Sequence, residues 1–331
     1  MQFSHSAIEK YKECPRKYHL YYQQKLRPVL MRSPLFFGSL VDDVVGRMLM
    51  EKKEAPTDEE LDLILSKSCD EIIQDAVELW KEDEKLRFSQ ADLDLSLFSE
   101  EDLTDCFTRC SELNLEVSED SYQAFLDACK TQLKSDNFAL DREVQLGYNY
   151  FFIRSLVLKL GMILPKVQDW IDGSVDAVLD IQKKIELQDG DDIIIGYIDF
   201  TARMKDGTVR IWDLKTSSKA YKENEANESQ QLTIYSEYAT ILDVGFLVVQ
   251  KSIRKREPRV RLQEVIGKIT QEQADKVFAE ITEIVNKIVE SGRETSLYPK
   301  NLNSCHNFGG CDYRDYCKWG SEKGLERKGE S

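Results

Sequence analysis

GYIDFTARMKDGTVRIWDLKT, residues 196 to 216, decides how this chain is read. Two runs rich in β-branched and aromatic residues flank Lys205-Asp206-Gly207. Their alternation predicts strands over 192–204 and 208–215 joined as a hairpin. Yet Asp199, Asp213 and Lys215 interrupt runs that are otherwise fit for a core. A buried lone charge is costly unless it is paired or holds a metal. The turn sets which charges meet. A two-residue loop, Asp206-Gly207, places Asp199 opposite Leu214 and sends Asp213 to the other face. A three-residue loop with Gly207 left-handed places Met204 opposite Thr208 and Asp199 opposite Asp213, with Lys215 diagonal to them. Gly at the third loop position favours the second register.

Two facing carboxylates repel, so something positive belongs between them. Lys215 supplies part of it, and Mg²⁺ or Mn²⁺, which takes oxygen ligands and keeps several waters, supplies it better. A divalent ion next to an ammonium suits phosphodiester hydrolysis, because the ion acidifies water. On the charges alone, a solvated surface ion pair remains the competing reading.

The rest of the chain sets bounds. It has 331 residues, enough for two domains or one domain with a large insertion. With 41% hydrophobic residues, 14 Phe, 14 Tyr and 4 Trp, a packed core is expected. The net charge of -15 argues against a protein that coats nucleic acid non-specifically, but leaves room for a local basic channel. No run of 18 apolar residues is present and the N-terminal stretch MQFSHSAIEKYKEC lacks signal-peptide character, so a cytoplasmic protein is expected, with no membrane partner. Eight cysteines in such a compartment read as reduced thiols or metal ligands.

Along the chain, 3–25 reads as a helix or helix pair with Ser4 as N-cap and a bend or restart at Pro15, and 34–50 as a mostly apolar helix. An acidic helical insertion is expected over 51–140, its Cys69, Cys106, Cys110 and Cys129 read as small buried residues. Strands at 174–188, 192–204 and 208–215, a helix at 226–241, strands at 245–252 and 260–267 and an amphipathic helix at 269–292 complete an α/β core. The expected divisions are therefore 1–50, 51–140, 141–300 and a cysteine-bearing 301–331.

Gly196, Asp199, Asp213 and Lys215 together resemble the PD-(D/E)XK nuclease superfamily, in particular its RecB-type branch. Gln231 and Tyr235, four apart in the following helix, resemble a further element of that branch. Gly38-Ser39-Leu40-Val41-Asp42 resembles its G-x-x-x-H element with Asp42 in the histidine position, Asp43 being a competitor. Glu186 is a weaker outer candidate. Cys14, in ECPRKY, with Cys305, Cys311 and Cys317 resembles the iron–sulfur members, in which four thiolates hold a [4Fe–4S] cluster that clamps the two ends of the domain. Zn²⁺ is the alternative occupant.

The resemblance implies a restriction-endonuclease-like core sheet flanked by helices. It implies that Asp199, Asp213, the Leu214 carbonyl and Asp42 hold Mg²⁺ or Mn²⁺, that Lys215 orients the attacking water, and that Gln231 and Tyr235 position the substrate. An exonuclease on single-stranded DNA or DNA ends follows as the expected mode, in recombination, repair or mobile-element processing, with the cytoplasm being the host's if the chain is viral. No GxxxxGK[ST] motif is present, so any helicase partner is a separate chain. The basic run 251–261, with Lys251, Arg254, Lys255 and Arg256, either lines a DNA channel or is a solvated hairpin tip. The rival reading from another class is a non-catalytic iron–sulfur scaffold or DNA-end-binding subunit.

Overall fold

The computed structural model describes residues 2–28, 31–50, 86–87, 163–190, 192–217, 219–250, 261–309, 311–322 and 325–328. The expected insertion at 51–140 and the basic run at 251–260 therefore lie outside the described residues, apart from the pair 86–87. The chain divides into two compact units, one of residues 1–29, 42–53 and 166–331, the other of residues 30–41 and 54–165. In the second, short strands β3 (Met31–Arg32) and β4 (Leu86–Arg87) pair in parallel, and α3 (Ser33–Met50) begins there. The site described below lies in the first.

That unit opens with β1 (Gln2–Ser4) and α1 (His5–Glu13). Ser4 caps the helix by accepting a hydrogen bond from the Ala7 N–H, satisfying one of its orphan donors. Pro15 does not merely bend this helix. It starts a new one, α2 (Pro15–Tyr18), where its missing N–H costs nothing, and a π-helical turn (His19–Gln23) and β2 (Leu26–Pro28) follow. After α3 come a helix over 163–174, here α4, and three long strands. These are β5 (Val175–Asp189), β6 (Asp192–Met204) and β7 (Val209–Ser217). They continue into α5 (Gln230–Ala239), β8 (Asp243–Gln250), β9 (Arg261–Lys268) and α6 (Gln271–Ser291). Two 3₁₀ segments, α7 (Arg314–Trp319) and β10 (Leu325–Arg327) close the described chain, β10 pairing antiparallel with β2.

The central sheet is mixed, in the order β1-β6-β7-β8-β9, with β5 also on β6. β7 and β8 pair in parallel through the α5 crossover, while the other core pairs except β1–β6 are antiparallel. β8 is buried along nearly its whole length, as a central strand covered on both faces must be. On one face, Trp170, Phe200 and Trp212 pack together, the last two stacked at 6.3 Å. Gly245 lies under Trp212, where a Cβ would come within 2.6 Å of the indole. The opposite face carries Ile211, Val244, Phe246 and Val248, covered by α1, α5 and α6. α6 presents Ala274, Val277, Ile281, Ile284, Val285 and Ile288 to it at the i, i+3/i+4 spacing of one helical stripe. This mixed sheet flanked by helices is the α/β architecture that the alternation of elements predicted.

Candidate active site

The hairpin adopts the three-residue loop. Met204 N–H donates to Thr208 at 2.8 Å, Gly207 N–H donates back to Met204 at 2.9 Å, and Gly207 takes φ +87. The left-handed conformation is what glycine alone adopts without strain. Pairing runs from Arg203↔Val209 to Phe200↔Trp212, so the next level is Asp199 and Asp213. There the strands part, and the Asp199 side chain takes over the role of a backbone carbonyl: its Oδ2 accepts from the Leu214 N–H at 2.7 Å.

Asp213 is 1% exposed. Lys215, two residues on and on the same face, brings its Nζ to 2.5 Å from Asp213 Oδ2. This close ion pair serves a carboxylate oxygen for which no other polar partner is found among the described residues. Burial, then the neighbouring Asp199, raises the Asp213 pKa against the opposing pull of Lys215. Asp199 is also raised by burial, and the Leu214 N–H and Lys215 work the other way. Asp42, from α3, joins them: burial and then Asp199 lift it to about 7. Three carboxylates thus share one electrostatic environment. Burial works to lower the Lys215 pKa, but Asp213 and Asp199 outweigh it and raise it. The site stores unfavourable negative charge, held by a single ammonium among the groups that act on it.

A chain of hydrogen bonds fixes that ammonium. Lys215 Nζ donates to Gln231 Oε1 at 3.0 Å, and Gln231 Nε2 donates to Tyr235 Oη at 2.7 Å. Both partners stand one turn apart on α5. The tyrosine ring fits because residue 196 is glycine: a Cβ there would meet Tyr235 at 3.2 Å and Ile185 at 3.3 Å. Gly196 is therefore a packing requirement of the Gln231–Tyr235 pair.

Two further groups approach the site that the sequence did not single out. Gln182, on β5, donates from Nε2 to Asp199 Oδ1 at 3.4 Å and holds φ +48, a left-handed conformation uncommon for a residue with a Cβ. His5, at the head of α1, lies in the field of Lys215, and burial above all lowers it to about 4. Neither position carries a pattern in sequence: Gln182 arrives through the pairing of β5 with β6, and His5 heads the helix that follows β1. Glu186 is not brought in: it is exposed and paired with Lys184 at 2.6 Å. Of Asp43 only the backbone, within α3, is described.

A second cluster lies at the joined ends of the chain. Cys14, Cys305, Cys311 and Cys317 all line one cavity of about 70 Å³, along with Lys17, Lys300 and Arg314 among others. Asn301 ties the ends directly, its N–H reaching Cys14 Sγ at 3.4 Å and its Nδ2 donating to the Glu13 carbonyl at 2.8 Å. Burial raises the thiols of Cys311 and Cys317. All four cysteines are free thiols. Among the described residues, no three Asp, Glu, His or Cys side chains are arranged as ligands of a single ion. No described helix is long and apolar enough to cross a membrane.

The fold is thus a mixed sheet flanked by helices, whose central hairpin gathers acidic side chains beside a lysine. The chain belongs to the PD-(D/E)XK nuclease superfamily, whose family model matches residues 2–318. No curated protein shows a significant match to it. Among solved structures, the crystal structure of SSO0001 aligns over 56% of this chain and 85% of that one, at 14% identity and a TM-score of 0.27.

Proposed function

We propose that this chain is a Mg²⁺- or Mn²⁺-dependent deoxyribonuclease of the RecB type, acting as an exonuclease on single-stranded DNA or DNA ends. The observation that carries the reading is the gathering of three carboxylates, Asp42, Asp199 and the buried Asp213, around the one ammonium of Lys215. Three carboxylates against one ammonium leave room for a further cation, and the hard-oxygen donor set fits Mg²⁺ or Mn²⁺, which needs only one or two carboxylates beside its waters. Asp199, Asp213 and Asp42, with the Leu214 carbonyl, would hold the ion. When bound, it acidifies water and offsets charge on phosphoryl oxygens.

The protein's own groups do the rest. Lys215, held by Gln231 and, through it, Tyr235, presents an ammonium that aligns the attacking water and stabilises negative charge growing on the phosphorus oxygens. Because its partners are fixed before substrate arrives, little reorganisation accompanies the chemical step. The run Lys251, Arg254, Lys255 and Arg256 would supply phosphate contacts.

We read the cysteine cavity as the seat of a [4Fe–4S] cluster that would act as a structural clamp. In such a cluster each iron takes its own thiolate, so four sulfurs need to surround one cavity rather than converge on a point. Lys17 and Lys300, which line it and act on the thiols of Cys311 and Cys317, would offset the thiolate charge. A clamp between residues 14 and 317 removes unfolded-state entropy from nearly the whole chain.

The test is digestion of end-labelled single-stranded DNA with Mn²⁺, comparing the protein with Asp213→Ala and Lys215→Ala. Loss in both variants is expected, and equal background cleavage in all three would end the enzyme reading. For the cluster, anaerobically purified protein should be brown, with broad visible absorption and stoichiometric iron. A colourless protein carrying zinc would replace it with the alternative occupant.

A further inference from the structure

Between β7 and α5, the described residues 219–229 form turns and irregular chain, pinned at one residue through both of its backbone groups. Tyr221 N–H donates to Gln263 Oε1 at 3.0 Å, and Gln263 Nε2 donates to the Tyr221 carbonyl at 2.9 Å. One side-chain amide thereby satisfies both backbone groups of a loop residue. Gln263 is itself steadied by Gln250 Nε2 at 3.1 Å. A second pin lies further on, where Asn227 Oδ1 accepts from the Lys268 N–H at 2.8 Å.

The sheet register says where this places the tyrosine. Lys215 pairs with Val248, and Val248 pairs with Gln263, so the three form one row across β7, β8 and β9 on a single face. The row beside it is Asp213, Phe246 and Val265. Tyr221 packs edge-to-face on Phe246, ring centroids 5.4 Å apart, and Lys215 Nζ stands 6.0 Å from the same Phe246 ring. The tyrosine is half-buried. Burial raises its hydroxyl pKa, with Lys215 acting in the opposite direction and Glu225 and Asp213 adding to the rise. Its hydroxyl is thus within the field of the catalytic pair, on the β8–β9 side, away from the strand that carries Asp199.

We infer that Tyr221 is a substrate-contacting residue, its hydroxyl donating to a non-bridging phosphate oxygen of the DNA beside the reacting centre, and that Gln263 is the positioning residue that holds it there. This rests on the nuclease reading. The Gln263 amide fixes both backbone groups of Tyr221 and packing on Phe246 fixes its ring, so the side chain is held in one place beside Lys215. A phosphate contact needs such fixing, since hydrogen bonding is lost within a few tenths of an ångström.

The experiment measures initial rates of Mn²⁺-dependent cleavage across DNA concentration for the protein, Tyr221→Phe, Gln263→Met and the double variant. Loss of one hydrogen bond to a charged oxygen raises KM about tenfold, with kcat kept within about twofold. The double variant is no worse than the poorer single one, because both remove the same contact. Anisotropy of a labelled oligonucleotide in Ca²⁺ should show the same loss of affinity. A merely structural role would lower the active fraction, and so kcat, with a fall in melting temperature and KM unchanged. That result, or variants that match the parent protein while it cleaves, overturns this inference and leaves the nuclease reading standing. A parent protein that cleaves nothing and binds no DNA overturns both.

Discussion

Lys215 Nζ lies 2.5 Å from Asp213 Oδ2, at a carboxylate that is almost fully buried. Desolvation pushes Asp213 towards its neutral form, and the ammonium is the force that opposes this. Removing only the cation leaves Asp199 and Asp213 to repel each other in a poor solvent for charge. Lys215→Met is therefore expected to destabilise the fold by on the order of 2–3 kcal/mol. Asp213→Asn removes the repulsion along with the attraction and should be close to neutral, and the double variant should recover most of the loss. Urea midpoints measure all three. A Lys215→Met protein as stable as its parent would mean that the pair is solvated, as in the surface reading of these charges.

Gly196 offers a second, more local test. A methyl group there meets the Tyr235 ring at 3.2 Å and Ile185 at 3.3 Å, both in packed surroundings. Tyr235 must shift, and it carries Gln231 and thereby Lys215 with it. Gly196→Ala should cost about 1 kcal/mol of stability and reduce cleavage about tenfold or more. Gly46→Ala is the control: nothing lies within 4 Å of its Cβ in the middle of α3, so it should be neutral or slightly stabilising. Equal activity in the two variants would break the proposed link between Gly196 and the lysine.

How far the sequence reached is clearest on the hairpin. Asp199, Asp213, Lys215 and the glycine of the loop are local, and strand periodicity with turn chemistry determines which of them meet. Gln231 and Tyr235 were legible only through the resemblance to a family, the helical repeat adding no more than that both lie on one face. Cys14 and Cys305 line one cavity across nearly the whole chain, and only the resemblance to a family pointed there. Gln182, His5 and Tyr221 were not legible. Each reaches the site through pairing or packing with a distant strand, and none sits in a periodic pattern of its own. β1 was missed too: three residues in parallel register with Ile193–Ile195 are too few to show alternation.

The aromatic face of the sheet has its own weak point. Gly245 pairs with Trp212, and a Cβ on it would stand 2.6 and 2.9 Å from two atoms of the indole. Trp212 is itself wedged against Trp170 at 5.2 Å and Phe200 at 6.3 Å, so it has nowhere to retreat. Gly245→Ala should cost roughly 2–3 kcal/mol, at the upper end for overpacking a core. Thermal denaturation checks it. An unchanged midpoint would show that β8 and β7 slide apart more readily than a close-packed sheet allows.

His19 gives the fold a pH dependence whose sign can be worked out. It is 0% exposed and stacks on Tyr298 at 4.5 Å. Its Nδ1 faces the Gln23 Oε1 at 2.6 Å, an atom that only accepts, so Nδ1 carries the proton. Its Nε2 faces Gln24 Nε2 at 3.0 Å, an atom that only donates, so Nε2 accepts. A second proton on Nε2 would point at that amide. Burial, the largest cause, and the nearby Arg16 lower the pKa, while the bond to Gln23 opposes them. A histidine with a lowered folded-state pKa takes up protons more readily when unfolded. Its contribution to stability is therefore complete above the unfolded value of about 6.5 and is lost as pH falls below it. The same network joins the π-helical turn to Thr295 and Tyr298, through His19 Nε2 to Thr295 at 2.9 Å and Gln23 Nε2 to Tyr298 at 2.7 Å. Protonation thus loosens the junction that holds the cysteine ends together. Urea midpoints taken at pH 7.5, 6.5, 5.5 and 5.0 should fall more steeply for the parent protein than for His19→Gln, which cannot titrate. Parallel curves would show that the histidine is charged or neutral with equal ease in the fold, and would remove it as the source of acid sensitivity.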